Sequence, residues 1–368
     1  MFLPKVLPRL CTFAVECIYL HHTFENMIDK TQLRYPKPAD VFFTDDISSE
    51  GVLKLYERVK LDNPGKVAVK LHFGERGNKN FASPALSKEL VLATGATLVD
   101  SNVLYVGPRH HTDSHIAVAL EHGFDFAPIC ILDGEQEEEL EAKGLKHFDS
   151  IRVGTHFKEF DSYIVFSHCT GHGMAGFGAA IKNVAMGMAA VGGKMAQHSS
   201  AVPMIDEEKC ISCGECMENC PADAIEIDPV FVDSAKCIGC GKCIGACSQE
   251  VFDVNWGSTG SPLFVERMVE YAKGIMDYKP MVFITVLANI SPDCDCESHA
   301  RPPFVEDIGI IASRDIVAID KATFDLVAQQ TKKENVFTEL HRNTDGRPQY
   351  LYGDSLGMGT ANYKLVRV

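Results

Sequence analysis

The stretch CISCGECMENCPADAIEIDPVFVDSAKCIGCGKCIGAC, residues 210–247, decides how the chain is divided. Eight of the fourteen cysteines fall inside it, spaced C-x-x-C-x-x-C-x-x-x-C twice: Cys210, Cys213, Cys216 and Cys220, then Cys237, Cys240, Cys243 and Cys247. On both sides the pattern changes. Apolar, β-branched runs at 41–44, 67–73, 96–103, 129–133 and 162–169, and again at 281–290 and 308–313, read as buried strands. Between them PALSKELVLATG and SHIAVALEHGF carry helical apolar spacing. This alternation predicts an α/β fold with a largely parallel sheet flanked by helices. It is discontinuous, because the cysteine block interrupts it. The expected boundaries are an N-terminal extension at 1–39, the first α/β part at 40–205, an inserted α+β ferredoxin-like domain at 206–252 and the second α/β part at 253–368.

The spacing of the block is the bacterial ferredoxin run for two 4Fe-4S clusters, in which three close thiolates hold one cubane and the fourth reaches the other. The wiring is therefore crossed. Cys210, Cys213, Cys216 and Cys247 are expected at the first cluster, and Cys237, Cys240, Cys243 and Cys220 at the second. Gly214 and Gly241 follow the second cysteine of each run, where the missing Cβ permits a tight turn. Pro221 follows Cys220 as the pattern wants, while Ser248 replaces the second proline. Zinc knuckles use a different spacing, and no C-x-x-C-H is present for haem attachment.

Composition narrows the partners. With 46% hydrophobic and 23% charged residues the chain reads as globular. A net charge of -15 argues against a nucleic-acid backbone as ligand. Residues 206–242 hold nine acids against three lysines, so a redox partner protein with a basic docking surface is the expected neighbour. Residues 1–22 imitate a signal peptide until Glu16 interrupts the apolar run, and Met27 is an alternative start. No apolar stretch approaches a bilayer span, so no membrane association is expected. Free thiols at Cys11, Cys17, Cys130 and Cys169 suit a reducing cytoplasm.

Four further segments concentrate polar residues where an α/β protein keeps its site, beyond strand ends. KLHFGERGN (70–78) offers His72 and Arg76 as substrate- or anion-binding candidates, with a salt-bridged structural turn as the competing account. DSNVLYVGPRHHTDSH (100–115) places His111 and His115 four apart, the spacing of a metal pair on a helix, although no third ligand is evident. SHCTGHGMAGFGAAIKN (167–183) contains a literal G-x-G-x-x-G at Gly171, Gly173 and Gly176, with His172 inside it. The acid that would hold a dinucleotide ribose is missing, and no Asp or Glu occurs between Asp161 and Asp206. Glycine-loop amides at a helix start, with Lys182 and Lys194, are read as an anion site for a small molecule, with close packing of the glycines as the competing account. In SPDCDCESH (291–299), Cys294 and Cys296 flank Asp295 and point to one face in extended backbone. They are candidates for a metal, a redox pair or a substrate adduct, and with His172 are the catalytic candidates. The run EQEEELEAK (135–143) is read as a solvated helix face.

Together with the cysteine block, HFGERGN, DSNVLYVGPR, GHGMAGFGAAIKN, SPDCDC and SRDIVAIDKA resemble, in order and content, the uncharacterised iron-sulfur centre proteins called domain of unknown function 362. The resemblance covers about residues 40–368. It implies a cytoplasmic protein with two 4Fe-4S clusters and no settled reaction. Arg76 stands where that family usually has proline. The expectation is an electron-transfer protein or reductase, oxidoreductase-like if an enzyme, whose clusters feed a site on the α/β domain. The alternative is a redox carrier or binding module whose clusters relay electrons or only support the structure.

Overall fold

Strands lean on the alternation already described, and helices on well-formed ends. A computed structural model of the chain describes residues 37–198, 202–254, 256, 260–342 and 344–368. Nearly all of the expected N-terminal extension lies outside them, and every described element belongs to the unit Pro38–Val368. The first half runs β1 (Ala39–Thr44), α1 (Ser49–Val59), β2 (Val67–Lys70), α2 (Pro84–Thr94), β3 (Thr97–Asp100), α3 (Thr112–Glu121) and β4 (Ile129–Ile131). It continues through β5 (Glu137–Glu141), β6 (Ser150–Gly154), β7 (Ser162–His168), β8 (Thr170–His172), β9 (Gly176–Gly178), α4 (Ala180–Ala185) and α5 (Val191–His198). The cysteine block forms β10 (Met204–Ile205), α6 (Glu215–Glu218), β11 (Ile225–Glu226), β12 (Phe231–Val232), α7 (Lys242–Ala246) and β13 (Phe252–Asp253). The chain closes with α8 (Ser261–Met276), β14 (Met281–Leu287), β15 (Gly309–Ser313), α9 (Ile316–Thr331), α10 (Val336–Leu340), α11 (Arg347–Ser355) and β16 (Tyr363–Arg367).

Eight strands form one sheet in the order β16-β1-β15-β14-β7-β2-β3-β4. β15 runs antiparallel to β1 and β14, and every other pairing in that sheet is parallel. All seven residues of β14 are buried, as expected of a strand covered by helices on both faces. Val69, Ile164 and Ile284 pack with Val52, Leu55, Leu90 and Ala119 of α1, α2 and α3. Ala68, Val165 and Phe283 face the other way, against Ile181, Val269 and Ile319 of α4, α8 and α9. The largely parallel α/β sheet expected from the sequence is therefore present. Serine and aspartate caps start two helices: Ser48 Oγ accepts from Gly51 N at 3.2 Å, and Asp315 Oδ1 accepts from Val317 N and Ala318 N, each at 2.9 Å.

The order of the strands positions the site. From β2 the chain steps outward to β3 and β4, whereas β7 returns to the other side of β2 and β14 follows it. The carboxyl ends of β2 and β7 thus flank a switch point, where connections leave in opposite directions and a crevice opens.

Residues 204–253 close on themselves. β10 pairs antiparallel with β13, Met204 against Asp253 and Ile205 against Phe252, and β11 pairs with β12. Ile225, Val230, Val232, Ile244, Val251 and Phe252 form an apolar cluster that also takes in Leu104 and Met195 from outside the segment. Gly214 and Gly241 start α6 and α7 at φ 84° and 70°, the left-handed region that a Cβ disfavours.

The acidic run at 135–143 is not a helix: β5 pairs antiparallel with β6 over Glu137–Glu141. Leu140 and Ala142 are buried two apart, and Glu138 meets Lys158 Nζ at 2.5 Å, so a period of two outweighs the helical reading of the glutamates.

Candidate functional site

A cavity of about 550 Å³ lies beyond the ends of β2, β3, β7 and β14. Its walls include His72, Lys182, Lys194, His172, Cys294 and Cys296. Six of the seven sequence candidates outside the cysteine block therefore converge. Arg76 does not. It is half exposed and its Nε pairs with Glu121 at 2.9 Å on the surface. Exposed pairs of this kind contribute about 0–1 kcal/mol, so Arg76→Ala should shift the urea midpoint only slightly and leave ligand binding unchanged. A large loss of binding would reinstate Arg76 in the site.

The motif around Arg76 acts through its neighbours. Glu75 N donates to Asp295 O at 2.9 Å, and Asn78 Nδ2 donates to Glu297 O at 2.9 Å. These bonds fasten the turn carrying Cys294 and Cys296 to the end of β2. Glu75 Oε2 also accepts from Arg109 Nε at 3.1 Å and from the Tyr105 hydroxyl at 2.8 Å, with both Glu75 and Arg109 buried. Arg109 was legible only as part of a motif, and its role depends on a fold contact spanning the sequence. Asp100, inside the strand expected at 96–103, is the last residue of β3. It meets Lys70 Nζ at 3.0 Å, and although burial opposes its charge, Lys70 and His115 hold its carboxyl well below the usual range. His115 turns inward toward Asp100 while His111 meets His110 edge-on, in keeping with structural roles for both rather than a metal pair.

Of the two accounts of the glycines, close packing fits the geometry better than an anion loop. Gly171 lies in β8 and Gly176 in β9, two strands of a hairpin rather than a phosphate loop. A Cβ on Gly171 would stand 2.1 Å from Pro292 O, so close packing explains the glycine. The amides of Ala180 and Ile181, which begin α4, already donate to Asp320 at 2.8 and 3.0 Å. That buried carboxylate comes from α9 and occupies the helix start that an external anion was expected to use. The acid-free window is likewise compensated in space. Lys194 Nζ donates to Ala189 O at 2.5 Å, and burial lowers its pKa to about 8 while Asp133 and Asp100 oppose the fall.

Lys182 has a thiol for a partner. Its ammonium donates to Cys294 Sγ at 3.1 Å, and Cys296 N reaches the same sulfur at 3.3 Å. The Cys296 side-chain hydrogen bond pulls the Cys294 pKa down most, burial works against it, and Lys182 adds to the lowering. Cys296 is pushed well up by the same hydrogen bond. The lowering at Cys294 and the rise at Cys296 both favour placing a negative charge on Cys294. Cys169 shows the contrast: buried without a cationic neighbour, its thiol is pushed up by burial.

Five histidines line the chamber, and the hydrogen bonds of His168, His172 and His72 bear on its chemistry. His168 Nδ1 lies 2.9 Å from Asp295 Oδ2 and Nε2 lies 2.7 Å from Ala288 O. Both ring nitrogens face acceptors, which requires the imidazolium. Burial opposes it, and Asp295 overrides the penalty. His172 Nδ1 accepts from Ala175 N at 3.0 Å, and His72 Nδ1 accepts from Gly74 N at 3.0 Å. Burial keeps both neutral, so each carries its proton on Nε2.

The cysteine block presents two hollows. Cys210, Cys213, Cys216 and Cys247 line one; Cys220, Cys237, Cys240 and Cys243 line the other. Backbone amides approach the sulfurs: Ser212 N to Cys210 at 3.4 Å, Ala224 N to Cys220 at 3.3 Å and Val251 N to Cys247 at 3.5 Å. Among the described residues no three His, Cys, Asp or Glu side chains close on a single metal ion. The two hollows are separate from the large cavity but not far from it. Leu104 lines that cavity and belongs to the cluster containing Cys216 and Cys243, and a Cβ on Gly241 would stand 3.1 Å from its Cδ1.

Fold and site together define an α/β protein with a lysine-thiolate chamber at its strand ends and a segment of paired cysteine quartets beside it. The chain belongs to the family described as Domain of unknown function (DUF362), which it matches over residues 67–325. Among solved structures it is similar to the lactate racemase apoprotein from Thermoanaerobacterium thermosaccharolyticum, at 15% identity and a TM-score of 0.35, over 68% of this chain and 51% of that one. It is also similar to a protein from Thermotoga maritima, at 11% identity and a TM-score of 0.36, over 77% of this chain and 58% of that one. The chain thus spans a little over half the length of these two structures. No curated protein matches it.

Proposed function

We propose that the chain is an iron-sulfur electron-transfer protein or reductase in which residues 206–252 hold two 4Fe-4S clusters and serve the chamber on the α/β domain. The observation that carries this reading is proximity: Leu104 lines the chamber and packs in one apolar cluster with Cys216 and Cys243. The residues fit the group. Each hollow offers four thiols and no histidine or carboxylate, in the crossed grouping that the spacing demands. Amides aimed at cluster sulfurs are a recognised means of raising reduction potential.

Bound there, the clusters would supply one-electron chemistry. Leu104 and Met195 keep water out of the interval beside the chamber. His72 and His172 present Nε2–H donors, and Lys182 a positive charge, to an anionic or carbonyl-bearing small molecule. Anaerobic potentiometric titration followed by visible absorption tests the reading: two reversible low-potential transitions are expected. Clusters that do not cycle would favour a structural role.

The donor is a protein with a basic surface, drawn to the acids of residues 206–242. Its association rate should fall as salt rises, because charges beyond about 8 Å are screened at physiological ionic strength. A salt-independent rate would place docking elsewhere. A cytoplasmic setting suits free thiols beside oxygen-labile clusters, and among the described residues no helix is long and apolar enough to cross a membrane.

A further inference from the structure

We infer that Cys294 and Cys296 form a thiol-disulfide exchange pair whose substrate is a small-molecule disulfide bound in the chamber. The inference rests on the reading of the chamber as the working site and assigns it a substrate class. Geometry carries it. Two donors meet the Cys294 sulfur, Lys182 Nζ at 3.1 Å and the backbone N of Cys296 at 3.3 Å, which holds the second thiol's residue against the first. Glu75 and Asn78 hold the intervening backbone in place through Asp295 O and Glu297 O. This supplies both parts that exchange needs, a stabilised attacking thiolate and a resolving thiol two residues away.

The chamber selects the partner. Cys294 is only 6% exposed, so its sulfur is reached through a cavity of about 550 Å³ and not from the protein surface. A volume of that size admits a small molecule and excludes a folded protein's disulfide. Cys130 and Cys169 lie outside its walls.

The chemistry balances with these groups alone. The Cys294 thiolate attacks one sulfur of R–S–S–R, forming Cys294–S–S–R and expelling RS⁻. That thiolate takes the proton of Cys296 and leaves as RSH. The Cys296 thiolate then attacks the Cys294 sulfur, closing the internal disulfide and expelling the second RS⁻. The pair has lost two electrons and the substrate has gained them. Two one-electron donations and one proton restore the starting state, and the cluster segment is the donor on the reading above.

Anaerobically purified protein would be exposed to bis(2-hydroxyethyl) disulfide, quenched with iodoacetamide and mapped by peptide mass. The wild-type chain is expected to form the Cys294–Cys296 disulfide, and Cys296→Ser to accumulate the mixed disulfide on Cys294, at least tenfold faster than any modification of Cys130 or Cys169. A wild-type pair that stays reduced, or a Cys294 no faster than Cys130, overturns the inference. Because the wild-type result needs no variant, a folding defect cannot mimic it. Visible absorption recorded on the same sample separates the two readings. Intact clusters beside an unreactive pair sink this inference alone, whereas a reactive pair in protein that never holds clusters supports it and sinks the electron-transfer reading.

Discussion

Cys247→Ser should cost the protein about half its iron, and the loss should fall on the cluster held by Cys210, Cys213 and Cys216. The reason is spatial. Cys247 lies at the end of the second run in sequence, yet it lines the hollow of the first run, while Cys220 lines the hollow of the second. A cubane left with three thiolates loses a ligand that a neutral hydroxyl replaces poorly, so about four irons per chain should remain. Sulfur-to-iron charge transfer in the visible should fall in proportion. Metal analysis paired with the EPR spectrum of the reduced variant checks the assignment. Loss confined to the cluster held by Cys237, Cys240 and Cys243 would show that the quartets are wired within each run.

Lys182→Met should slow alkylation of Cys294 by about tenfold at a pH below the lowered pKa of about 6, and less at neutral pH, while leaving the iron content unchanged. In the wild type the Cys294 pKa is lowered, so the rate should rise with pH and level off below the ordinary thiol range. Removing the ammonium 3.1 Å away takes a favourable charge from the thiolate and none from the thiol, so the profile moves to higher pH. Each unit of movement is about 1.4 kcal/mol, or tenfold in thiolate at a pH below both values. The hydrogen bond from Cys296 is the larger cause of the lowering and survives the substitution, so the shift should be partial. An unchanged profile would mean that Lys182 does not sense the sulfur.

Much of this arrangement was legible from the sequence because its signals are local. Strand runs such as VAVK and MVFITVL identify themselves by apolar content, and strand-end placement brought Lys182, Cys294 and Cys296 to one chamber. What was not legible depends on contacts between distant segments. Asp320 lies far along the chain from the amides of Ala180 and Ile181, and only the packing of α9 on α4 shows that the helix start is filled. Arg76 stands out in the sequence for its place beside two glycines, but its side chain leaves the loop toward Glu121, whereas Arg109 is buried against Glu75 and Tyr105. The acid-free window misled for the same reason: a linear stretch says nothing about carboxylates such as Asp100 and Asp133 arriving from other strands. The glutamates at 137–141 were counted as charges, and their alternation with buried Leu140 was outweighed by the run's polarity.

The central claim is that the chain carries two cubanes beside a chamber containing a lysine-held thiolate, and the cluster half of it is open to one measurement. Protein purified without air and reduced with dithionite should hold about eight irons per chain and give an EPR spectrum of two magnetically interacting clusters. Zinc in place of iron, or about four irons after reconstitution with all eight cysteines intact, would contradict it.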